Sequence, residues 1–209
     1  QRNKGGESMS NLTPLIIEHL LIVLTAVAIS VVIGVALGIL SYWVRPLDKI
    51  ILWVAEIIQT IPTLALLAIL MIFFGLGNVT IIAGLILYAL MPIIRNTYIG
   101  LEAVPPHLKD AARGMGMSKL QRLAKIEMPL SLPLIFSGVK IALVNSLSIA
   151  VMGVLIGAGG LGYPIYRGIQ TNSLERILSG AVPVVLMAMV LDYLMTKMEK
   201  RMVRKSTHS

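Results

Sequence analysis

Residues 110–129 read DAARGMGMSKLQRLAKIEMP, a charged and glycine-punctuated stretch set between long apolar runs. This stretch is too polar to lie in the hydrocarbon core of a membrane, yet its apolar residues recur at helical spacing. The same polar character extends over about residues 96–127, whereas the flanking sequence carries few charges. The contrast predicts an all-α integral membrane protein with one polar, folded segment between two groups of membrane spans.

The composition supports this class and excludes several functions. Of the 209 residues, 56% are hydrophobic and 13% are charged, whereas a soluble domain holds about 25% charged residues. A net charge of +8 on so apolar a chain indicates basic cytosolic loops rather than nucleic-acid binding. The sequence has no cysteine, which excludes disulfides and thiolate catalysis, and its three histidines are too scattered to predict a metal site.

Five membrane spans are predicted from apolar runs that are about long enough to cross a hydrocarbon core of roughly 30 Å. Gly34 and Gly38 form a GxxxG pair in the first span, which indicates either close helix packing or only the general frequency of glycine in membrane helices. A basic turn with Arg45 and Lys49 is expected after this span. A tight uncharged turn at residues 75–78 is expected after the second. The approximate spans are 20–40, 50–74, 79–94, 133–156 and 178–195.

Most of the 18 lysines and arginines fall on one side of the membrane if the polar central segment is cytosolic. Positive loops are retained inside, so the N-terminus is expected outside and the C-terminus in the cytosol. Residues 1–14 are expected to form an N-terminal extension, in part a processing or expression remnant. Residues 15–196 are expected to form the transmembrane domain, and 197–209 a basic cytosolic tail.

The central segment is predicted to begin with a short amphipathic helix. Its start is expected at Pro105-Pro106. The N–H groups in the first turn of a helix have no intrahelical partner, so proline, which has no N–H, is tolerated there. Its end is expected at Gly114 or Gly116, because glycine accepts the positive φ found at helix C-termini. One face is apolar and the other charged, the first with Leu108, Ala111, Ala112 and Met115, the second with Lys109, Asp110 and Arg113.

A second short helix is predicted from Ser118, because Gln121 three residues later completes a capping box. Two short helices that meet at a glycine elbow fit either a plain interfacial loop or a docking element for a partner protein, and both interpretations remain open on periodicity alone. One side of the second helix would carry Leu120, Leu123, Ala124 and Glu127, and another side Arg122 and Lys125.

Polar residues inside the spans are candidates for a transport pathway, because lipid disfavours them. Glu56, Lys140 and Asp192 lie near the cytosolic ends of their spans, where either a pathway role or pairing with an opposite charge accounts for them. Uncharged polar side chains suit the lining of a hydrated path, because they do not bind a solute too tightly. The alternative is that these side chains form polar contacts between packed helices. The pore-lining candidates are Gln59, Thr60, Pro62, Thr63, Asn145, Ser146 and Ser148.

A glycine-dense run, GAGGLGYP, occupies residues 157–164 after the fourth span. It predicts a sharp re-entrant turn near the outer pore mouth, because a dinucleotide site would need a strand–turn–helix context that is absent here. A polar loop with Arg167, Glu175 and Arg176 is expected next. The turn-forming glycines are Gly157, Gly159, Gly160 and Gly162.

The sequence contains no GxxxxGK[ST] motif, so it lacks a Walker A phosphate site. No catalytic residue is predicted, and we expect the chain not to be an enzyme.

Residues 110–129 resemble the "EAA" signature of bacterial ABC-importer permeases, roughly E-A-A-x3-G-x9-I-x-x-P. Asp110 stands in place of the usual glutamate, and Gly114 or Gly116 takes the glycine position, with Gly116 fitting the spacing to the I-x-x-P end better. Ile126 and Pro129 match the end of the signature. The resemblance covers about residues 15–200. Within it, three further runs resemble permeases of the glycine betaine/carnitine/choline osmoprotectant branch, namely IQTIPTLA (58–65), LMPIIRNTY (90–98) and GAGGLG (157–162).

This resemblance implies a permease subunit of the type I ABC-importer fold in a bacterial inner membrane. Residues 100–128 would be the cytosolic coupling segment, seated in a cleft of a separate ATPase subunit that binds ATP and Mg, while this chain binds no cofactor. A second permease, either a copy or a paralogue, and an external solute-binding protein would complete the transporter within membrane lipid. The ATPase-docking residues would be Pro106, Leu108, Asp110, Ala111, Ala112, Arg113, Gly114, Met115, Gly116, Ser118 and Lys119.

Two alternatives accompany this interpretation. The first keeps the fold and changes the solute to an amino acid such as methionine, because relatives with that solute share the architecture. The second is a stand-alone channel or membrane scaffold that has no ATPase.

Overall fold

The computed structural model describes residues 12–206, with side chains for residues 12–202, and within that range it contains helices and no strand. The helices of this range, numbered in chain order, are α1 Leu12–Trp43, α2 Arg45–Thr60, α3 Thr63–Phe74, α4 Asn78–Glu102, α5 Pro106–Gly114, α6 Lys119–Arg122, α7 Met128–Ala150, α8 Gly162–Gln170 and α9 Leu174–Ser206. A π-helical turn, Leu123–Glu127, joins α6 to α7, and a 3-10 turn, Val151–Ile156, follows α7.

Four continuous helical stretches are long and apolar enough to cross a membrane, and α2 with α3 forms a fifth unit that is bent by 102°. The bend lies at Ile61 and Pro62, whose ψ values of 127° and 135° are extended. Proline disfavours helical backbone at the residue before it, so the helix ends there. The predicted five spans are therefore present when the bent pair counts as one. The four straight stretches are Leu12–Trp43, Asn78–Glu102, Lys119–Ile156 and Leu174–Met202.

Helix α4 lies between α1 and α7, and glycine lets α1 approach it closely. A Cβ atom built on Gly34 would lie 2.7 Å from Ile93 Cγ2, and one on Gly38 would lie 2.5 Å from Thr97 Cβ. Neither position has room for a larger side chain without a shift of the partner. The GxxxG pair is thus a packing surface, which confirms the first of its two interpretations.

The buried core sits where α1, α4 and α7 meet. Apolar side chains of these helices fill it, joined by Leu67 from α3. Helix α9 contrasts with this core, because only 11% of its most apolar window is buried within the chain. Its apolar surface faces lipid or other subunits rather than this chain. The main core residues are Ile22, Val23, Ala26, Val27, Leu67, Ile81, Leu85, Leu143, Leu147 and Ala150.

Helix α4 is longer than the sequence predicts. The expected end is near Ile94, but the helix continues through Pro92 to Glu102. Proline removes one backbone hydrogen bond, and this loss is tolerated because α1 and α7 pack on either side. Within the helix, Asn96 Nδ2 donates to the Pro92 carbonyl oxygen at 2.8 Å. Proline alone was therefore a poor marker of the end of this span.

The fourth span also departs from its prediction. The sequence predicts a separate short helix after Ser118 and a span from about Pro133, but α6, the π-helical turn and α7 form one stretch from Lys119 to Ile156. Pro129 lies just after the π-helical turn at the start of α7, and like Pro92 it lacks a backbone N–H without ending the helical stretch. The last part of the polar segment, from Lys119, and the membrane span thus form one continuous helical stretch of 38 residues.

Two predicted loops are largely helical. The basic turn at Arg45 and Lys49 forms the start of α2, because Pro46 is suited to the first helical turn. The polar loop predicted after the glycine-dense run is reduced to a turn around Asn172, whose φ is 49°. The tight turn at residues 75–78 is confirmed, with positive φ at Gly75 and Gly77.

The chain ends are described only in part. Helix α1 begins at Leu12, and α9 continues through Lys197 to Ser206. Residues 1–11 of the predicted N-terminal extension and residues 207–209 of the predicted basic tail lie outside the described range.

Candidate functional site

The elbow unit, defined as residues 106–122, comprises α5, a glycine elbow and α6. Helix α5 starts as predicted, since Pro105 is extended with ψ of 132° and Pro106 lies in the first turn. Ala112 is its one buried residue. The predicted apolar face is otherwise uncovered, with Met115 just past the helix 68% exposed. The chain itself leaves this face uncovered, as expected for either interpretation of the elbow unit, an interfacial loop or a docking element.

The glycine elbow ends α5 in a Schellman motif centred on Gly116. Gly116 has a φ of 78°, its N–H donates to the Arg113 carbonyl, and the Met117 N–H donates to the Ala112 carbonyl at 3.1 Å. These two bonds satisfy helix carbonyls that would otherwise lack partners. Gly114, in contrast, is the last residue of α5. Gly116 is therefore the glycine whose conformation the elbow requires.

Helix α6 begins at the capping box that the sequence predicts. The Gln121 N–H donates to Ser118 Oγ at 3.3 Å, and the Ser118 N–H donates to Gln121 Oε1 at 2.9 Å. The two bonds fix the direction in which the chain leaves the elbow. Leu120, one residue into α6, is 65% exposed and extends the bare apolar surface of the elbow unit.

Lys109 joins the elbow unit to the membrane helices. Its Nζ donates to the Leu101 carbonyl oxygen at 2.9 Å and lies 5.1 Å from the centre of the Tyr42 ring. Cations are attracted to the faces of aromatic rings at this distance. Of the three residues predicted on the charged face, Lys109 thus contacts the membrane helices, whereas Asp110 and Arg113 pair with each other at 3.2 Å and remain exposed.

A groove of about 520 Å³ opens between α5, α6 and the junction of α1 with α2. Basic side chains outnumber acidic ones on its walls, and aromatic side chains from the end of α1 line one side. The lining residues are Tyr42, Trp43, Val44, Arg45, Glu102, Lys109, Arg113, Lys119 and Arg122.

Arg122 is buried rather than exposed, which corrects the prediction that it shares a face with Lys125. Its Nε donates to Glu127 Oε1 at 2.6 Å, and the two side chains are 10% and 0% exposed. The prediction assumed a regular α-helix, but the π-helical turn inserts one residue between α6 and α7. This insertion changes which side chains lie on the same face.

The glycine loop, residues 157–162, lies against the start of α1. Gly157 and Gly160 have φ values of 75° and 93°, which confirms a sharp turn. The Gly160 N–H donates to Glu18 Oε2 at 3.1 Å, and the Gly159 N–H donates to Asn78 Oδ1 at 2.9 Å. Asn78 Nδ2 in turn donates to Glu18 Oε1 at 3.1 Å. The loop is thus tied to both α1 and α4.

Small residues are required where the glycine loop meets Glu18. A Cβ atom on Gly159 would lie 2.0 Å from Glu18 Oε1, and one on Gly162 would lie 2.2 Å from the Val151 carbonyl oxygen. Next to Glu18, the fully buried His19 has its Nε2 at 3.1 Å from the Leu147 carbonyl oxygen. The loop and the elbow unit contact opposite ends of α1, since Glu18 and Tyr42 are separated by about 36 Å along a helix that rises 1.5 Å per residue.

Glu18 and Asn78 hold the glycine loop but do not appear among the site residues predicted from the sequence. Glu18 lies just before the predicted first span at 20–40 and so is not among the ionisable residues predicted inside the spans. The partners of Asn78 lie at residues 18 and 159, and no local pattern reveals such contacts.

The first set of pore-lining candidates lies at the bend between α2 and α3. Gln59 Nε2 donates to the Tyr88 carbonyl oxygen at 3.0 Å, and the Tyr88 hydroxyl donates to the carbonyl oxygen of Ile61. Non-helical backbone at membrane depth is tolerated only where it is buried in protein or lines a hydrated cavity. Thr60 and Pro62 are exposed and Thr63 is half-buried, so the bend presents polar groups outside the core of this chain.

The second set of candidates lies on α7 and does not share one environment. Asn145 and Ser148 are exposed, whereas Ser146 is 1% exposed and packs inside the bundle. The environment of Ser146 favours the alternative of polar packing between helices, and Asn145 and Ser148 remain candidates for a pathway.

The three ionisable residues predicted inside spans are paired. Glu56 Oε1 lies 3.4 Å from Arg95 Nη1. Lys140 Nζ lies 3.4 Å from Asp192 Oδ1 and 3.9 Å from Glu199 Oε2, so it links α7 to α9. These contacts confirm the interpretation of pairing with an opposite charge.

Comparisons with known proteins agree with this architecture. Residues 12–204 match the family described as binding-protein-dependent transport system inner membrane component. Over 184 residues, the chain is 42% identical to the glycine betaine/carnitine/choline transport system permease protein OpuCD of Bacillus subtilis (strain 168), a match that covers 88% of this chain and 80% of that protein. It is 43% identical over 184 residues to the choline transport system permease protein OpuBD of the same strain, with 88% and 81% covered.

A solved structure supports the fold. The chain superposes on a chain of the MetNI methionine ABC transporter in an inward-facing conformation with a TM-score of 0.85, covering 94% of this chain and 98% of that one at 24% identity. At this identity the likeness concerns the arrangement of helices and not the solute.

Proposed function

The chain belongs to the family of binding-protein-dependent transport system inner membrane components, and from this membership we propose that it is the permease subunit of an ATP-driven importer for a quaternary-ammonium solute such as glycine betaine, choline or carnitine. The curated relatives at 42% and 43% identity are permeases named for these solutes. The methionine transporter has a weaker likeness that extends only to the fold. Membership of this family does not support the alternative of a stand-alone channel or membrane scaffold.

The observation that carries the proposal is the bare apolar surface of the elbow unit. Met115 and Leu120 are 68% and 65% exposed on a segment that is too polar to be covered by lipid. The ATPase subunit is the expected occupant, because the chain lacks a Walker A motif of its own. ATP and Mg would bind to that separate subunit, and its nucleotide-driven closure would push the elbow unit.

The continuity of the helices indicates how movement of the elbow unit would reach the membrane. Helix α6 passes through the π-helical turn into α7, so movement of the elbow unit reaches the membrane as movement of one long helix. Rigid helices that shift together produce the alternating inward-facing and outward-facing states of a transporter. In this scheme the permease catalyses no reaction. It converts the movement driven by the ATPase into opening of the solute pathway to one side of the membrane or the other.

The solute pathway would run beside the α2–α3 bend and the exposed polar residues of α7. This chain buries little of α9 and leaves Gln59, Thr60, Asn145 and Ser148 uncovered. A second permease, a copy or a paralogue, would close the path from the other side. Of the chain's two tryptophans, Trp43 lies beside the elbow unit and Trp53 lies in the middle of α2. An aromatic cage for a quaternary ammonium therefore belongs on the external solute-binding protein.

The orientation follows from the same assignment. The elbow unit and the C-terminal end of α9 would face the cytosol, and the glycine loop with the start of α1 would face outside. Beside that loop, a groove of about 330 Å³ carries two arginines and offers a surface for the external protein. Its lining residues are Leu12, Leu15, Tyr163, Pro164, Arg167, Arg176 and Ser179.

The solute is tested by uptake into proteoliposomes that contain the permease with a candidate ATPase and binding protein. Labelled choline uptake should need ATP inside and should fall when unlabelled glycine betaine or carnitine is added. Uptake that methionine blocks, and that choline and betaine leave unchanged, would overturn the substrate assignment.

Docking is tested by reversing the exposed pair of Asp110 and Arg113. The swap of Asp110→Arg with Arg113→Asp keeps their mutual attraction and changes only the charge pattern that a partner meets. Co-purification with the ATPase and ATP-driven uptake should both be lost. Intact assembly and uptake in the swapped protein would show that this surface does not dock the ATPase.

A further inference from the structure

The junction between the elbow unit and α7 contains a π-helical turn, Leu123–Glu127. The Met128 N–H donates to the Leu123 carbonyl oxygen, five residues back, instead of to the residue four back as in an α-helix. Such turns are rare and occur mostly as single insertions, frequently at functional sites. Here the insertion lies where motion of the elbow unit would enter the membrane.

A buried ion pair spans this turn. Arg122 Nε donates to Glu127 Oε1 at 2.6 Å, and the residues are five apart in sequence. In an α-helix of 3.6 residues per turn, positions five apart point about 140° away from each other. The pair forms because the wider π-helical turn brings both side chains to one side. The ion pair and the turn therefore depend on each other.

Stability alone is a poor explanation for the pair. A buried ion pair is often no more stabilising than apolar residues of the same volume, whereas loss of one partner leaves an uncompensated charge. Glu127 is 0% exposed, and its Oε2 has no hydrogen-bond partner among the described residues. The best-attested use of such buried polar contacts is to fix one structural register.

The register in question is the rotation of the elbow unit about the α7 axis. Helix α7 is anchored on α4, where a Cβ atom on Gly100 would lie 3.1 Å from Ser131 Cβ. On the other side of the turn, α5 packs against the π-helical segment. Removal of the inserted residue would rotate everything before the turn by about 100° relative to α7, because each α-helical residue turns by that angle.

We propose that Arg122 and Glu127 are positioning residues for transport: their ion pair locks the π-helical turn and so holds the bare surface of the elbow unit towards the ATPase. This inference rests on the proposed function, since it takes the ATPase to push on the elbow unit. Neither residue touches the solute, and both act through the direction in which α5 and α6 face.

The test uses two measurements on the whole transporter. The first is the amount of choline imported per ATP hydrolysed in proteoliposomes. The second is the distance between spin labels on His107→Cys and Ile141→Cys. The chain has no native cysteine, both positions are exposed, and His107 is not among the predicted docking residues. The second measurement reports the register and needs no solute.

Three variants define the expected result. Glu127→Gln breaks the charge pair, and deletion of Ala124 removes one residue from the turn. Both should shift the label distance and lower the import per ATP several-fold while hydrolysis continues. The swap of Arg122→Glu with Glu127→Arg should restore both values towards those of the native protein. Glu56→Gln, which breaks the exposed pair with Arg95, is the matched control and should leave both unchanged.

The proposal is overturned if Glu127→Gln or the deletion retains the native label distance. It is equally overturned if these variants only reduce the amount of protein recovered and each recovered transporter imports at the native ratio. If Glu127→Gln does not accumulate, the deletion and the swap decide by the same criteria. If the native protein imports no choline, the proposed function fails, and the label distances still decide whether the ion pair sets the register.

Discussion

The carboxylate of Glu18 accepts a hydrogen bond from the backbone N–H of Gly160 at 3.1 Å, across 142 positions of sequence. Its other oxygen accepts from Asn78 Nδ2 at 3.1 Å. One side chain thus ties the glycine loop to the starts of α1 and α4. Hydrogen bonds to an ionised acceptor are roughly twice as strong as those between neutral groups.

Replacing Glu18 with alanine should loosen the glycine loop. Loss of both hydrogen bonds leaves the Gly160 N–H without its partner, which costs about 1–3 kcal/mol where such a group is buried. The expected result is a lower melting temperature of the detergent-purified permease. Gly159→Ala, whose Cβ would meet Glu18 Oε1 at 2.0 Å, should cause a similar loss.

The double variant separates this contact from unrelated effects. When two substitutions break the same interaction, the double variant loses less stability than the sum of the losses in the two single variants. Fully additive losses for Glu18→Ala and Gly159→Ala would show that the two residues act independently.

Gly34→Ala should destabilise the packing of α1 on α4. The new Cβ would lie 2.7 Å from Ile93 Cγ2, and such overpacking costs about 1–3 kcal/mol. Thermal unfolding in detergent should show the loss. Ile93→Ala removes the clashing atom, so the double variant should be more stable than additivity predicts. A Gly34→Ala protein with native stability would contradict the close approach of the two helices.

Gly116→Ala should disturb the elbow unit, whereas Gly114→Ala should not. Gly116 has a φ of 78°, and an L-residue in left-handed backbone costs roughly 1–2 kcal/mol. No neighbouring atom would lie within 4 Å of a Cβ on either glycine, so space does not distinguish them. Binding of the purified ATPase subunit to reconstituted permease should weaken only for Gly116→Ala. Equal binding by both variants would argue against a conformational role for Gly116.

Tyr88→Phe should weaken the bend between α2 and α3. The Tyr88 hydroxyl donates to the Ile61 carbonyl oxygen at the break, and an unsatisfied buried carbonyl costs about 1–3 kcal/mol. Solute uptake and melting temperature should both fall. Tyr193→Phe removes a hydroxyl from a side chain that is 66% exposed and serves as the control. Uptake and stability that match those of the control would show that the bend does not depend on this bond.

Local signals were predicted well from the sequence. The capping box of Ser118 and Gln121 and the start of α5 at Pro106 depend on neighbouring residues, so a few letters specify them. Both glycines of the elbow lie near the end of α5; the spacing of the signature favours Gly116, and backbone geometry shows which of the two ends the helix. The positive φ of Gly116 makes that distinction.

Features that depend on distant contacts or on helix phase were missed. The partner of Glu18 lies 142 positions away, and Pro92 remains inside α4 because two other helices support it. The face of Arg122 was misassigned because a constant 3.6-residue period does not hold through a π-helical turn. Only the folded chain shows where that period changes.

The continuous stretch from Lys119 to Ile156 gives the molecule a lever with one arm at each surface. Its 38 residues correspond to on the order of 55 Å at 1.5 Å per residue. The Ile156 carbonyl oxygen accepts from the Gly77 N–H at 2.8 Å, next to the glycine loop. In the proposed mechanism, a tilt of this stretch at the elbow unit would also displace the glycine loop at its far end, so the two ends would move together.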